Sequence, residues 1–241
     1  MTWNIIKQLF FAFFLIMATP VIASVVMLNT RVIYPGDAKS QTLQFTNDDN
    51  IPYVMQIWSD VNNPSSTPDN ADGPFVAAPT LFRIEPKTGQ SVRLFFTREN
   101  LPQDRESVFY LNSVQVPPQN IEGKQNKMVV ILRNRNKIFY RPKSIDGSVD
   151  NMTNQIRFTV TTEGKNTKLI VINDSGFYAS FLDATVIAGT QRLTFPVNMV
   201  APKSQASWIV NSLLSSCPEK VKFTLINDYG GHTSHEVSLR K

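Results

Sequence analysis

A succession of short runs with β character, each closed by a turn signal, is the feature that most constrains how this chain can fold. Gln41–Asn47 alternates strictly between polar and apolar residues, which places Leu43 and Phe45 on one face of a strand. The run before it, Val25–Tyr34, ends at the Pro-Gly-Asp turn signal of residues 35–37. About seven such runs fill roughly half of the chain, a spacing typical of an immunoglobulin-like sandwich. No amphipathic helix of useful length is predicted.

The second half repeats this pattern after a polar break. The residues after Pro142 are polar and include Gly147, which predicts a hinge at 142–152. The predicted fold class is all-β, with two immunoglobulin-like β-sandwich domains set at an angle and joined by a short hinge. The predicted domains are residues 24–145 and 152–241. The predicted strands are Val25–Tyr34, Gln41–Asn47, Pro52–Trp58, Thr80–Glu85, Ser91–Thr97 and Ser107–Val116 in the first half, and Gln155–Thr161, Lys168–Ile172, Phe177–Ala188, Gln191–Pro196, Lys220–Ile226 and Glu236–Leu239 in the second.

The first residues have the composition of a secretory signal peptide. Lys7 supplies a positive charge, and Leu9–Ala18 is an apolar run of the length expected for the hydrophobic region. This run is shorter than the roughly 20 residues that span a bilayer, so a retained membrane anchor is the weaker interpretation. Cleavage after Ala23 is predicted, which makes residues 1–23 a signal peptide and the rest an exported protein.

Composition argues against several classes of function. The net charge is +5, but the basic residues are scattered among acidic ones, so nucleic-acid binding is not predicted. Cys217 is the single cysteine, so no intramolecular disulfide can form, and it is interpreted as a free structural thiol. His232 and His235 are the two histidines, and their spacing puts them on opposite faces of a strand, which argues against a shared metal. No catalytic constellation or phosphate-binding loop is evident in the sequence, so neither an enzyme nor a cofactor is predicted.

Lys127–Pro142 is predicted to be one long strand with two unlike halves. Met128, Val130 and Leu132 point to one face, and the apolar residues between them point to the other. Basic and polar residues follow at 133–137. On the pattern alone, the strand is either a core strand of its own domain or a strand that pairs with another chain and anchors that chain's end with a lysine.

Four stretches carry a resemblance to a known family. They are T-R-V-I-Y-P at 30–35, L-P-Q-D-R-E-S at 101–107 followed by Phe109 and Asn112, K-I-F-Y-R-P at 137–142, and I-N-D-Y-G at 226–230. In this order, behind a signal peptide, they resemble the periplasmic chaperones of the chaperone–usher pathway, which assemble pili and fimbriae in Gram-negative bacteria. The resemblance covers the whole mature chain.

The resemblance implies a binding mechanism for the long strand. Arg31 and Lys137 match the basic pair that binds the C-terminal carboxylate of a pilus subunit in the cleft between the domains. Met128, Val130 and Leu132 match the apolar residues that the family's donor strand inserts into the open groove of a subunit, a mode called donor-strand complementation. The other apolar face, with Val129 and Ile131, is then expected to pack on the core of its own domain.

The resemblance also implies an interdomain feature and a set of partners. Glu106, Arg141 and Asp228 match the family's charged cluster between the domains, which would fix the interdomain angle. The implied partners are pilus or fimbrial subunits and an outer-membrane usher, the implied location is the periplasm, and self-association of the free chain is allowed.

The chain departs from the family pattern at several points. The segment 117–126 before the donor strand is short, which resembles the short-loop subfamily. Ser113 stands where the family usually has an aliphatic residue, and Pro79 stands alone where a proline pair is common, so no cis peptide is assigned. The second-domain disulfide of many family members is absent. The alternative from a different class is an exported two-domain adhesin or glycan-binding protein in which residues 127–139 are only core.

Overall fold

The computed structural model describes residues 24–97, 100–118 and 129–239, and it contains two β-sandwiches. The predicted all-β class with two sandwich domains is confirmed. The predicted signal peptide at 1–23 lies outside the described residues. Within them, no helix is long or apolar enough to cross a membrane. The strands are β1 (Val25–Met27), β2 (Arg31–Pro35), β3 (Gln41–Asn47), β4 (Tyr53–Asp60), β5 (Phe75–Ala78), β6 (Leu81–Ile84), β7 (Gly89–Phe96), β8 (Ser107–Val116), β9 (Leu132–Arg141), β10 (Ile156–Glu163), β11 (Asn166–Asn173), β12 (Phe181–Ala188), β13 (Gln191–Phe195), β14 (Ser204–Val210), β15 (Lys220–Ile226) and β16 (His232–Ser238), with short 3-10 segments at Pro68–Asn70 and Val149–Gln155.

Each sandwich encloses its own apolar core. In the first, the sheet β1-β3-β7-β5 packs on the sheet β2-β9-β8-β4-β6, and in the second the sheet β10-β11-β14 packs on β13-β12-β15-β16. Phe45 and Leu94 from one sheet of the first domain meet Ile57 and Ile138 from the other in a single buried cluster. A separate cluster, which includes Phe223, fills the second domain. The alternation seen in the sequence is therefore the inward and outward alternation of sandwich strands.

Several strand predictions are confirmed, and others need correction. Gln41–Asn47, Ser107–Val116 and Lys220–Ile226 form strands with the predicted limits. The predicted single run Val25–Tyr34 is wrong, because it divides into β1, which pairs with β3, and β2, which pairs with β9 in the opposite sheet. Two strands, β5 and β14, were not predicted, since each is short or rich in small polar residues. The Ala78–Pro79 peptide is cis.

The long strand is shorter than its sequence pattern predicts. β9 begins at Leu132, whose partner Gln115 is one residue from the end of β8, and residues 129–131 pair with no strand of the described chain. Val129 and Ile131, expected to face their own domain's core, are 46% and 57% exposed. The prediction that one apolar face of this segment is buried in its own domain is therefore wrong for the described residues.

A buried asparagine closes the same loop in each domain. Asn47, at the end of β3, donates from Nδ2 to the carbonyl oxygens of Ile51 and Glu85 at 2.8 and 3.1 Å. Asn173, at the end of β11, donates from Nδ2 to the carbonyl oxygen of Phe177 at 2.8 Å, and its Oδ1 accepts from the backbone nitrogen of Ser175. Both asparagines are fully buried. They satisfy backbone groups that the loops would otherwise leave unpaired.

We expect Asn173→Ala to destabilise the second domain. The substitution leaves buried carbonyl groups without a donor, which costs about 1–3 kcal/mol. Urea unfolding of the purified protein, followed by tryptophan fluorescence, measures the loss. Asn211→Ala, at an exposed position, is the matched control and should leave the unfolding midpoint unchanged. Equal midpoints for the two variants would contradict the structural role of Asn173.

Candidate functional site

Two cationic side chains, Arg31 and Lys137, stand next to each other at the junction of the two domains; we call them the anchor pair. Arg31 is the first residue of β2 and pairs directly with Lys137 in the parallel ladder between β2 and β9. Paired residues of neighbouring strands project from the same face of a sheet. Both side chains are therefore held on one face by backbone pairing, and both are partly buried.

Arg31 reaches from the first domain into the second. Its Nη1 donates to the carbonyl oxygen of Ile226 at 3.2 Å and to Oγ of Ser180 at 3.4 Å, and its guanidinium lies 5.8 Å from the ring centre of Phe139. Its Nε is buried and has no hydrogen-bond partner among the described residues. Burial lowers the pKa of Arg31, against the opposing effect of Asp228 and Glu106. An acceptor brought to this side chain would satisfy a donor that the free chain leaves unpaired.

Lys137 has no ion-pair partner in the part of the chain that the structure describes. No carboxylate lies within ion-pair distance of its Nζ among the described residues. Burial lowers the pKa of Lys137, and the neighbouring charges of Arg31 and Arg135 lower it further. Two adjacent cations in a partly desolvated position form a site for an anion, and the planar guanidinium beside a compact ammonium fits a carboxylate.

A cavity of about 310 Å³ lies beside Arg31 of the anchor pair and is formed by both domains. Arg31 and Phe139 line it from the first domain, while Tyr178, Ser180 and Asp228 line it from the second. Phe139 and Tyr178 also contact each other across the junction, with ring centres 5.7 Å apart. The space next to Arg31 is thus large enough for the end of a peptide chain. It is lined by hydrogen-bond donors and by aromatic rings that can pack against a ligand.

The structure brings the three predicted members of the interdomain cluster, Glu106, Arg141 and Asp228, into one ion-pair network. Arg141 donates from Nε to Oε1 of Glu106 at 2.7 Å, and from Nη1 and Nη2 to Asp228 at 2.7 and 2.9 Å. The second oxygen of Glu106 accepts from the backbone nitrogen of Tyr178 at 2.8 Å. Burial alone would lower the pKa of Arg141, but its hydrogen bonds and the two carboxylates outweigh this effect and raise it.

Other contacts across the junction were not predicted from the sequence. Lys203 and Asp104 form an ion pair of 2.7 Å. Gly230 has a φ of 84°, and a Cβ there would come within 2.5 Å of the side chain of Thr30. A Cβ at Gly176 would likewise come within 2.5 Å of the side chain of Ile145. Thr30, Asp104 and Gly230 lie in the quoted motifs, but no local pattern shows which residues they contact, because each contact depends on how the two domains meet.

The predicted donor segment lies at the surface. Val130 and Leu132 are 57% and 48% exposed, and Met128 lies outside the described residues. β9 pairs with β8 from Leu132 to Tyr140, but with β2 only from Lys137 to Arg141. From Leu132 to Asn136, the side of β9 away from β8 therefore faces no strand of the described chain; we call this stretch the open edge. It ends at the anchor pair.

A polar network on the outer face of this sheet was also missed by sequence reasoning. The carboxylate of Asp60, fully buried on β4, accepts from Nη2 of Arg135 at 2.6 Å and from Nδ2 of Asn112 at 2.6 Å. Arg133 donates from Nη2 to Oδ1 of Asn112 at 2.7 Å. We call Asp60 and Asn112, with the two arginines, the arginine clamp. Asn112 was noted only as part of a motif, and nothing in the sequence pairs Asp60 with residues more than seventy positions away.

The remaining candidate residues do not form a chemical site. Cys217 is free, as predicted, and it is exposed rather than packed in a core. His232 and His235 both lie on β16, and the ring of His235 stacks on Phe223 at 5.5 Å. In the part of the chain that the structure describes, no group of three metal-ligating side chains comes together.

Comparisons with known proteins match both halves of the chain. The profile described as "Pili and flagellar-assembly chaperone, PapD N-terminal domain" matches residues 24–146, and "Pili assembly chaperone PapD, C-terminal domain" matches residues 151–237. The probable fimbrial chaperone YadV of Escherichia coli K12 is 37% identical over 87% of this chain and 87% of the relative. Chaperone protein HifB of Haemophilus influenzae is 34% identical over 89% of this chain and 88% of the relative.

Solved structures show the same architecture. The crystal structure of the YadV chaperone matches with a TM-score of 0.75 at 34% identity, and the match covers 90% of this chain and 100% of that one. The Salmonella enterica SafB chaperone, solved in complex with the SafA pilin, matches with a TM-score of 0.72 over 92% of this chain and 99% of that one. At 24% identity, this second match bears on the fold alone.

We expect Arg141→Ala to destabilise the protein by about 3–5 kcal/mol, because it leaves the buried carboxylate of Glu106 without its cation. Arg157→Ala is the matched control, since the pair between Arg157 and Asp174 is largely exposed and such pairs contribute about 0–1 kcal/mol. Chemical denaturation of the two variants beside the wild type measures both losses. Similar losses would show that the interdomain cluster adds no more stability than a surface ion pair.

We expect Lys137→Met to raise the thermal midpoint of the free chain at neutral pH. The folded chain has a lowered pKa at Lys137 compared with the ordinary value of 10.5, so the unfolded chain holds this proton more tightly. The charge therefore opposes folding at neutral pH, and its penalty fades as pH rises from the lowered pKa towards 10.5. The rise should be a few degrees at most, because solvent screens a half-exposed group. A lower midpoint in differential scanning calorimetry would contradict this.

Proposed function

The chain belongs to the family of PapD-like pilus-assembly chaperones, and from this premise we propose that it caps pilus subunits by donor-strand complementation and delivers them to an outer-membrane usher. We place this activity in the periplasm, after removal of residues 1–23, and assign it to domains at 24–145 and 152–241. The role is non-enzymatic, since the family acts as chaperones and the proposed site offers binding groups only.

The observation that carries this proposal is that the open edge of β9 leads directly to the anchor pair. Between Leu132 and Asn136 the backbone can accept one further strand. The next residue along β9 is Lys137, paired with Arg31. A partner strand added at this edge would gain main-chain hydrogen bonds along its length and an ion pair at its end.

The geometry also gives the direction of the partner strand. The open edge precedes Lys137 in the chain. A subunit whose C-terminal carboxylate lies at the anchor pair, and whose last strand pairs with the open edge, must therefore run in the same direction as β9. The captured strand and the donor strand would be parallel.

The apolar residues before and at the start of β9 add hydrophobic contacts to the proposed main-chain hydrogen bonds and ion pair. We propose that Met128, Val130 and Leu132 enter the open groove of the subunit. Burial of one such side chain contributes about 1.5–3 kcal/mol. In the free chain the same residues and the unpaired edge favour association, so we expect the free protein to self-associate at high concentration.

The interdomain cluster has a positioning role in this proposal. Arg31 is held by groups of the second domain, including the carbonyl oxygen of Ile226. Arg141 ties Glu106 of the first domain to Asp228, two residues after Ile226. The cluster thereby fixes the distance between the anchor pair and the second domain, and it keeps the cavity open.

The alternative of an exported adhesin or glycan-binding protein finds less support. In that interpretation, residues 127–139 would be buried core, whereas the described part before β9 is exposed. The family to which the chain belongs also assembles fimbriae rather than forming their adhesive tips.

We test the proposal by periplasmic co-expression with candidate pilus subunits and affinity capture through a tag at the C-terminus of the chain. We expect the wild type to retain a subunit in a one-to-one complex. Arg31→Ala and Lys137→Ala should fold but lose the subunit, because each removes one cation from the proposed carboxylate site. Leu132→Ser should weaken retention at least tenfold through the loss of an apolar contact.

The matched control is Lys222→Ala, which removes an exposed lysine from β15 of the second domain. It should retain the subunit at the wild-type level. Retention by Lys137→Ala equal to that of Lys222→Ala would rule out the anchor pair. If well-folded wild type retains none of the candidate subunits, the chaperone mechanism itself fails for them.

A further inference from the structure

Between Leu132 and Asn136, β9 is a strand with a neighbour on one side only. Such a stretch loses order easily, because few contacts oppose local opening. The proposed function nevertheless needs this same stretch to be extended when a subunit arrives. Pairing with β8 holds only one side of it, so side-chain contacts are needed to keep it in place.

The arginine clamp acts on this stretch. Its two arginines, Arg133 and Arg135, both lie between Leu132 and Asn136. Arg135 binds the carboxylate of Asp60 through Nη2 at 2.6 Å and Nε at 3.3 Å. Arg133 binds Oδ1 of Asn112 through Nη2 at 2.7 Å and Nε at 3.2 Å.

Asp60 organises the whole clamp. Its carboxylate is fully buried and also accepts from Nδ2 of Asn112 and from the backbone nitrogen of Asn63. The bond from Nδ2 fixes the orientation of the Asn112 amide, so that Oδ1 faces Arg133. Burial would raise the pKa of Asp60, but hydrogen bonds from Arg135 and Asn112 outweigh it and hold this pKa below its ordinary value. The carboxylate is thus ionised at neutral pH, and it acts on Arg135 directly and on Arg133 through the amide of Asn112.

Both arginines point away from the open edge. The guanidinium of Arg135 lies 3.5 Å from the ring centre of Tyr110 on β8, and that of Arg133 lies 5.1 Å from the ring centre of Trp58 on β4. Both guanidinium groups therefore interact with residues of their own sheet and do not face the open edge. They hold β9 flat against β8 and leave its other side clear.

We propose that Asp60 is a positioning residue for the donor strand: with Asn112 it clamps Arg133 and Arg135 and presents the open edge already extended. This rests on the proposed function of that edge. If a partner binds only the extended state, its apparent affinity is the intrinsic affinity multiplied by the fraction of molecules in that state. Loss of the clamp lowers this fraction in the free chain, but it changes little in the complex, where the subunit itself holds β9.

The first test is hydrogen exchange of the free protein at the backbone amides of residues 132–136. Asp60→Asn, which keeps the size of the side chain, is the direct variant. Arg133→Gln and Arg135→Gln each remove one arginine of the clamp at a partly exposed position. They test the proposal if Asp60→Asn does not fold. We expect exchange about tenfold faster in each variant, and faster still in the double arginine variant. Arg192→Gln, an exposed arginine on β13, is the control of equal charge and should exchange as the wild type does.

The second test measures the kinetics of binding to a subunit retained in the co-expression experiment. We expect the association rate to fall about tenfold in Arg135→Gln, with the dissociation rate within about twofold of the wild type. Arg135→Lys, which keeps a cation for Asp60, should recover part of the lost rate. A merely structural loss would instead lower the thermal midpoint and leave the association rate of the folded fraction unchanged.

Unchanged exchange at residues 132–136 in the folded clamp variants would overturn the proposal, as would a change confined to the dissociation rate. These failures differ from failure of the proposed function. If the wild type retains no subunit, donor-strand capping fails, while the exchange result on the free chain still decides whether the clamp exists.

Discussion

The parallel pairing of β2 with β9, and the point at which it stops, is the constraint on which the rest of the structure depends. Five residues of β2 pair with the end of β9, and the ladder begins at Arg31 and Lys137. Because it begins there, two cations stand side by side. For the same reason, the preceding residues of β9 keep one unpaired side. A single feature of strand register thus creates both the anchor pair and the open edge that leads to it.

The second domain completes this site rather than adding a separate one. Arg31 bonds to Ile226, and Arg141 joins Glu106 to Asp228 across the junction. Tyr178 contacts both Phe139 and Glu106. The cavity beside Arg31 is formed by residues of both sandwiches, so it depends on the contacts that hold them together. Each domain could fold around its own core, but neither alone has the wall that surrounds Arg31.

The sequence predicted the fold class, three strands with their limits, and which charged residues meet at the junction. Alternation reveals a strand wherever one face is buried, as in Gln41–Asn47, and the four motifs located the charged residues through resemblance. The sequence could not reveal that Val25–Tyr34 crosses between two sheets, because both parts have the same composition. The predicted strand also began too early, at Lys127, because alternating apolar residues give the same sequence pattern whether they are buried in a core or exposed at the surface. The role of Asp60 could not be predicted, because its partners Asn112 and Arg135 come from strands that are distant in the sequence.

β9 is the last strand of its domain in the chain, and this order has a consequence for folding. Asn136 and Thr30 are in contact although they are 106 positions apart. A chain that appears N-terminus first, as it does during synthesis, must therefore leave β2 without its neighbour until β9 appears. Closing so long a loop is slow and costly in chain entropy. The first sandwich therefore closes in the same step that forms its open edge, because β9 brings both the pairing partner of β2 and the stretch from Leu132 to Asn136 that pairs on one side only.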